Sequence, residues 1–295
     1  MKRTVRTKET QKAPEFLFRG NAVAAGGFLT RVGGNQQVWD SNTVSTHGES
    51  CLPMVGGVSR SVIEDPQPNY SEHINYGKVE TFAEGRHDGD QTVTMLRAEV
   101  NRVRLVAKPS PEDEAPNVRS IALVAGQLAL AVESVHPKKG QPHFRVKPSK
   151  PLEMALEITD TSGNVTTLPI ELEFDDHLLT LTSMNDMDKA FKKNRKFFDN
   201  HVSRFGNKKK LVYGTHKMPR TPHGYVLGSI VRRIKVGDEQ IRGNILTKKG
   251  FGTVQFGVMQ TEEFSRRITM ARVSMGSDPD AQIGLSAVET NGIWK

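Results

Sequence analysis

Ile268-Thr269-Met270-Ala271-Arg272-Val273-Ser274-Met275 has a counterpart 175 residues upstream in Val93-Thr94-Met95-Leu96-Arg97-Ala98-Glu99-Val100, with Thr, Met and Arg at the same three offsets. Both stretches slip phase at one place. Val93 and Met95 share one face while Leu96, Ala98 and Val100 share the other, and Ile268 and Met270 are followed by Ala271, Val273 and Met275. A β-bulge, or a strand buried on both faces, produces such a slip. An aromatic-glycine pair precedes each copy, Tyr76-Gly77 and Phe256-Gly257, and Leu29-Thr30-Arg31-Val32-Gly33 answers Leu246-Thr247-Lys248-Lys249-Gly250. Three fragments in the same order suggest a duplicated β unit, 14–107 and 221–295, with other material between the copies. Such copies are expected to pack about a pseudo-twofold axis that brings the chain ends into one module.

Working outward from these fragments, residues 1–13 read as a basic, flexible arm. Glu15-Phe16-Leu17-Phe18 and Phe28-Leu29-Thr30-Arg31-Val32 read as two short strands around a turn at Gly26-Gly27, and the Ser-, Asn-, Thr- and Gly-rich 40–50 as a surface loop. The segment 52–63, with Gly56-Gly57, has no clear assignment. In the upstream hairpin, Asp88-Gly89 supplies the positive backbone dihedrals of a tight reversal. Prolines at 109, 111 and 116 among acids make 108–117 a linker.

The middle region, 118–182, is expected to be β hairpins. Ile121, Leu123 and Ala125 alternate, then Leu128, Leu130 and Val132, suggesting a reversal at Gly126-Gln127. Leu152, Met154, Leu156 and Ile158 alternate strictly up to a turn at 160–164, and Leu168, Ile170, Leu172 and Phe174 alternate beyond it. Pro169 on the polar face suits an edge strand. Strands are also expected at 225–236, 243–246, 252–260, 268–275 and 283–288.

One helix is expected, at 185–205 within a basic helix-and-loop segment, 183–220. Ser183 or Asn185 caps it, Gly206 stops it, and Met184, Met187, Phe191, Phe198, Val202 and Phe205 form its apolar face. The segment 186–220 carries eleven Lys or Arg against three Asp, and the rest of the chain holds thirty of each sign, so this segment carries the whole net charge of +8. Lys189, Lys192, Lys193, Arg195, Lys196, Arg204, Lys208, Lys209 and Lys210 are therefore the candidate contacts for a phosphate backbone or an acidic partner. Phe191 and Phe198 belong to the apolar face and no aromatic is interleaved on the basic one, so base stacking is not indicated. The same charges also suit a solvated helix face.

Other groupings are sparse. Nine scattered histidines form no His-x-His or His-x-x-x-His pair, so no metal is expected. Asp88 and Asp90 fit a hairpin turn better than a calcium loop. Cys51, the single cysteine, lies near His47 and Glu49 but more simply reads as a small apolar residue. The glycine pairs lack any phosphate-loop or dinucleotide continuation, so no cofactor is expected. One cysteine gives no disulfide framework, no apolar run could span a bilayer, and no apolar stretch follows the basic Met1-Lys2-Arg3. A cytoplasmic location, or one within an assembled particle, is expected.

These readings give a mainly β fold, sandwich- or barrel-like, with two duplicated units and one basic amphipathic helix. The function expected is non-catalytic: a structural or scaffold protein that forms a homo-oligomer or joins a multi-protein assembly through unpaired strand edges. Nucleic-acid binding through 186–220 is the alternative. An enzyme ranks third, since a site assembled from distant loops leaves no local signature.

Overall fold

A strand whose apolar residues recur at every second position covers only one side of a core, so two such surfaces must face each other. The computed structural model describes residues 15–31, 37–68, 71–110, 113, 115–180, 226–261, 265–276 and 280–294. It begins with β1 (Phe16–Arg31), β2 (Gln37–Cys51), β3 (Gly57–Ile63), the two-residue β4 (Ile74–Asn75), β5 (Val79–Asp88) and β6 (Gln91–Ala107). Next come β7 (Val118–Pro137), β8 (His143–Pro148), β9 (Ala155–Asp160) and β10 (Val165–Phe174). The last group is β11 (Val226–Ser229), β12 (Val231–Val236), β13 (Glu239–Arg242), β14 (Ile245–Lys248), β15 (Gly252–Thr261), β16 (Ser265–Gly276) and β17 (Asp280–Trp294).

One sheet runs β11-β15-β16-β17-β1-β2, with β14 also on β15. The other runs β13-β12-β10-β9-β7-β6-β5-β3, with β4 on β6 and β8 on β7. β1 and β17 lie across β5, β6 and β7, and the core between them includes Phe16, Phe18, Leu96, Val100, Leu128, Leu130, Met270 and Leu285. Fully burying a side chain of this size stabilises the fold by about 1.5–3 kcal/mol. The first and last described strands pair, with Phe16 opposite Trp294. Of the expected unit 14–107, β1 and β2 join the sheet of the C-terminal strands, whereas β3 to β6 lie in the other. Residues 108–117 connect β6 to its neighbour β7. The expected helix, at 185–205, lies outside the described residues; among those described there is no helix long and apolar enough to cross a membrane.

Several strands differ from expectation, each for a physical reason. Gly26-Gly27 is not a turn. β1 runs straight through it, because Gly27 brings its backbone so close to β17 that a Cβ there would lie 2.0 Å from the Gln282 carbonyl oxygen. The polar stretch 40–50 is not a loop either: it is most of β2, a strand at a sheet end whose ladder to β1 needs no apolar side chains. Gly126-Gln127 is no reversal, and the changed alternation lies within the single long β7. The expected strand 225–236 is two strands in different sheets. The crossing at Ile230 is held by Ser229, whose Oγ accepts from Val231 N–H at 2.9 Å and donates to the Phe256 carbonyl at 2.9 Å. Pro169 lies where β10 exchanges its partner β9 for β12, and in that position a missing N–H is tolerated.

The phase slips have two origins. In β16 the ladder is interrupted at Met270, beside Gly257 (φ 58°) and Ser286 (φ 52°), so each strand turns its other face inward beyond this crease. At Met95 the ladders on both sides are unbroken, and Val93, Thr94 and Leu96 are all buried, so β6 is covered on both faces there. The ten-stranded sheet creases elsewhere, at Arg102 (φ 52°) opposite Gly126, and this explains the changed alternation in β7. The two creases are tied together by Ser286, whose buried Oγ donates to the Leu128 carbonyl at 2.8 Å.

Candidate functional site

Lys189, Lys192, Lys193, Arg195, Lys196, Arg204, Lys208, Lys209 and Lys210 all lie outside the described residues. Two other places concentrate unusual chemistry, one inside the sandwich and one on its edge.

Inside, strand register gathers polar side chains that alternation alone would leave scattered. Thr92 stands opposite His136, Thr94 opposite Ser134, Thr261 opposite Arg266, and Arg266 opposite Thr290, and all seven are buried. A 2.7 Å hydrogen bond between Ser134 Oγ and Thr290 Oγ1 joins the two sheets. Arg266 is 1% exposed; its guanidinium carbon lies 3.9 Å over the Phe144 ring, and Nη1 donates to the Ser265 carbonyl at 2.8 Å. His136 packs between Phe16 and Phe144, with ring centroids at 5.4 and 5.8 Å.

Burial lowers the Arg266 pKa to about 10, so the group stays charged at neutral pH. Burial, and secondarily the charge on Arg266, lowers His136 to about 4. Its Nε2 is buried with no hydrogen-bond partner, so protonation there would gain no acceptor. A neutral imidazole beside a fixed guanidinium suits a structural lock, not proton transfer at neutral pH. His136 shares the buried phase of Leu130, Val132 and Ser134, as Arg266 shares that of Ile268, and this phase is the signal that could have found them.

Three smaller groupings have ordinary structural roles. His47 Nδ1 is bonded to the Tyr76 hydroxyl at 2.6 Å, while the Cys51 thiol donates to Glu49 at 3.5 Å. Partial burial, then the bond to Glu49 and its charge, push the Cys51 pKa up, the opposite of what a nucleophile needs. Glu99 accepts from Asn101, Arg97 and Gln127 on the outer face of β6. Burial opposes its ionisation, but these donors outweigh it and hold the carboxyl below its usual range. Asp88-Gly89 forms the β5–β6 turn with Gly89 at φ 61°, and among the described residues no three His, Cys, Asp or Glu side chains cluster as metal ligands would.

On the edge, β3 ends the ten-stranded sheet, and among the described residues it hydrogen-bonds only to β5. Met54 and Val55 precede it, and Val58 lies on it, with exposures of 61%, 68% and 63%; Val62 is also exposed. These four side chains make an apolar margin beside a row of backbone donors and acceptors that no other described strand pairs. The chain matches no family model, no curated protein and no solved structure.

Proposed function

We propose that this chain is a non-catalytic structural or scaffold protein that self-associates or takes its place in a larger assembly. The observation that carries this reading is the β3 edge, where a strand that, among the described residues, pairs on one side only coincides with four exposed apolar side chains. Adding a strand to such an edge makes main-chain hydrogen bonds and covers apolar surface in one step. Sedimentation velocity of the full chain from about 1 to 100 micromolar spans the range of a modest interface. A mass that rises with concentration is expected, and a monomer throughout that range refutes self-association.

The concentration of charge in 186–220 favours nucleic-acid binding as a second reading, by backbone contact without sequence readout. Its test is binding of a random duplex by the intact chain and by one carrying Lys192→Gln, Lys193→Gln, Lys208→Gln, Lys209→Gln and Lys210→Gln. Equal affinities sink it.

A further inference from the structure

We infer that two copies of this chain pair their β3 strands antiparallel about a twofold axis through Arg60, joining two ten-stranded sheets into one. This rests on the self-association reading above and names its surface. An isologous contact needs a patch that complements itself under rotation. Val58-Ser59-Arg60-Ser61-Val62 reads the same in both directions. Antiparallel pairing centred on Arg60 therefore sets Val58 against the other copy's Val62 in two rows, and Ser59 against Ser61 in two more.

The faces also match. Ser59 and Ser61 stand opposite Ala83 and Thr81 of β5, both fully buried, so the serines lie on the inner face of the sheet. Val58, Arg60 and Val62 alternate with them onto the outer face. Pairing across the axis then puts serine beside serine inside and valine beside valine outside, and such cross-strand pairs are the stabilising unit of a sheet. Met54 and Val55 widen the apolar margin at one end of the strand.

Arg60 would stand opposite its own copy, and like charges in that position repel. Its side chain avoids this. Nε and Nη2 both donate to Glu80 Oε1 on β5, at 3.2 and 2.9 Å, which draws the guanidinium back over its own sheet and away from the open edge. Arg86 likewise holds Glu84 at 3.3 Å. Each copy thus brings Arg60 to the axis already matched by its own Glu80. A register centred on Ser61 would instead oppose Val62 to Arg60 and Val58 to Glu64, losing both valine rows. The twofold contact closes on itself, so it gives a dimer and not a growing fibre.

The test compares the dimer dissociation constants of three full-length proteins by sedimentation equilibrium: wild type, Val58→Lys with Val62→Lys, and Val58→Lys with Val62→Glu. About Arg60, the first double variant sets lysine against lysine in both outer rows, and the second sets lysine against glutamate. The first is expected to weaken the dimer roughly tenfold or more, and the second to bind at least about tenfold more tightly than the first. Both sites are exposed, so circular dichroism should match wild type, while Val62→Glu, which puts a carboxylate opposite Glu80 of β5, should lower the thermal midpoint slightly without unfolding the chain. A wild-type dimer that both variants leave unchanged keeps the self-association reading and removes β3 from it. Equal weakening by both variants overturns the Arg60 register, and a wild type that stays monomeric overturns the parent reading along with this one.

Discussion

His136 makes the fold acid-sensitive in a way that its immediate surroundings specify. Folding carries this imidazole into the space between Phe16 and Phe144, near the Arg266 guanidinium, and lowers its pKa from 6.5 to about 4. Above pH 6.5 the residue is neutral in both the folded and the unfolded chain, and it contributes no pH dependence. Between pH 6.5 and 4 the unfolded chain takes up a proton that the folded chain refuses, so stability falls as the pH falls. Each pH unit costs at most about 1.4 kcal/mol, and the total levels off below pH 4 at about 3 kcal/mol. Set against a typical domain stability of roughly 5–15 kcal/mol, this one side chain has a large effect.

The assay is urea unfolding of wild type and His136→Phe at half-unit steps from pH 7.5 to 3.5. The phenyl ring keeps the aromatic packing and cannot titrate. The wild-type free energy, relative to the variant, should fall by about 3 kcal/mol between pH 7 and pH 4, with most of the drop below pH 6. The His136 ring resonances should titrate near pH 4. Parallel stability curves, or a ring midpoint above pH 6, would refute the claim that His136 is enclosed beside a charged Arg266.

Two further expectations concern Ser286 and Cys51. Ser286 holds a positive φ in mid-strand and donates to Leu128, so Ser286→Ala should destabilise by about 1–3 kcal/mol in denaturant melts. Ser286→Gly loses the same bond but relieves the backbone, so it should be milder than alanine, the reverse of the usual order in strands; the usual order would disprove the strained crease. Cys51 should alkylate with iodoacetamide at pH 8 more slowly than a free cysteine despite its exposure, and Glu49→Gln should speed the reaction. A rate equal to that of free cysteine would show that neither burial nor Glu49 acts on the thiol.

Local chemistry made two hairpins legible. Asp88-Gly89 and 160–164 contain their own reversal signals, and Gly89 and Gly163 do adopt positive φ, 61° and 91°. Gly26-Gly27 has the same composition as a turn, but its cause is Gln282, more than 250 residues away, and no window around residue 26 contains that partner. The alternation in β7 shifts at Gly126 because the facing Arg102 turns left-handed, and the two residues meet only through the ladder. Arg266 and His136 were hidden for a related reason. A basic residue in an alternating strand is usually assigned to water, and only the opposite sheet shows that this guanidinium lies on a phenyl ring. The β3 palindrome was readable throughout, yet it acquires meaning only once the strand is known to end a sheet.

The strands at the ends of each sheet's main path differ in how they resist pairing, and the difference bears on why β3 is apolar. β11 and β13 are four residues each, too short to present much of a ladder, and β13 reads Glu239-Gln240-Ile241-Arg242. β2 is long but rich in Asp40, Ser41, Asn42, Thr43, Ser45 and Thr46. Shortness, charge and polarity are the usual defences of an exposed edge. β3 has seven residues, two exposed valines, and a single cation held back over its own sheet by Glu80. If exposure were the normal state of β3, polar residues at 58 and 62 would cost the core nothing, because neither side chain faces it. Valine at both positions therefore argues for an occupied edge, and the symmetry of the strand about Arg60 points to a second copy as the occupant.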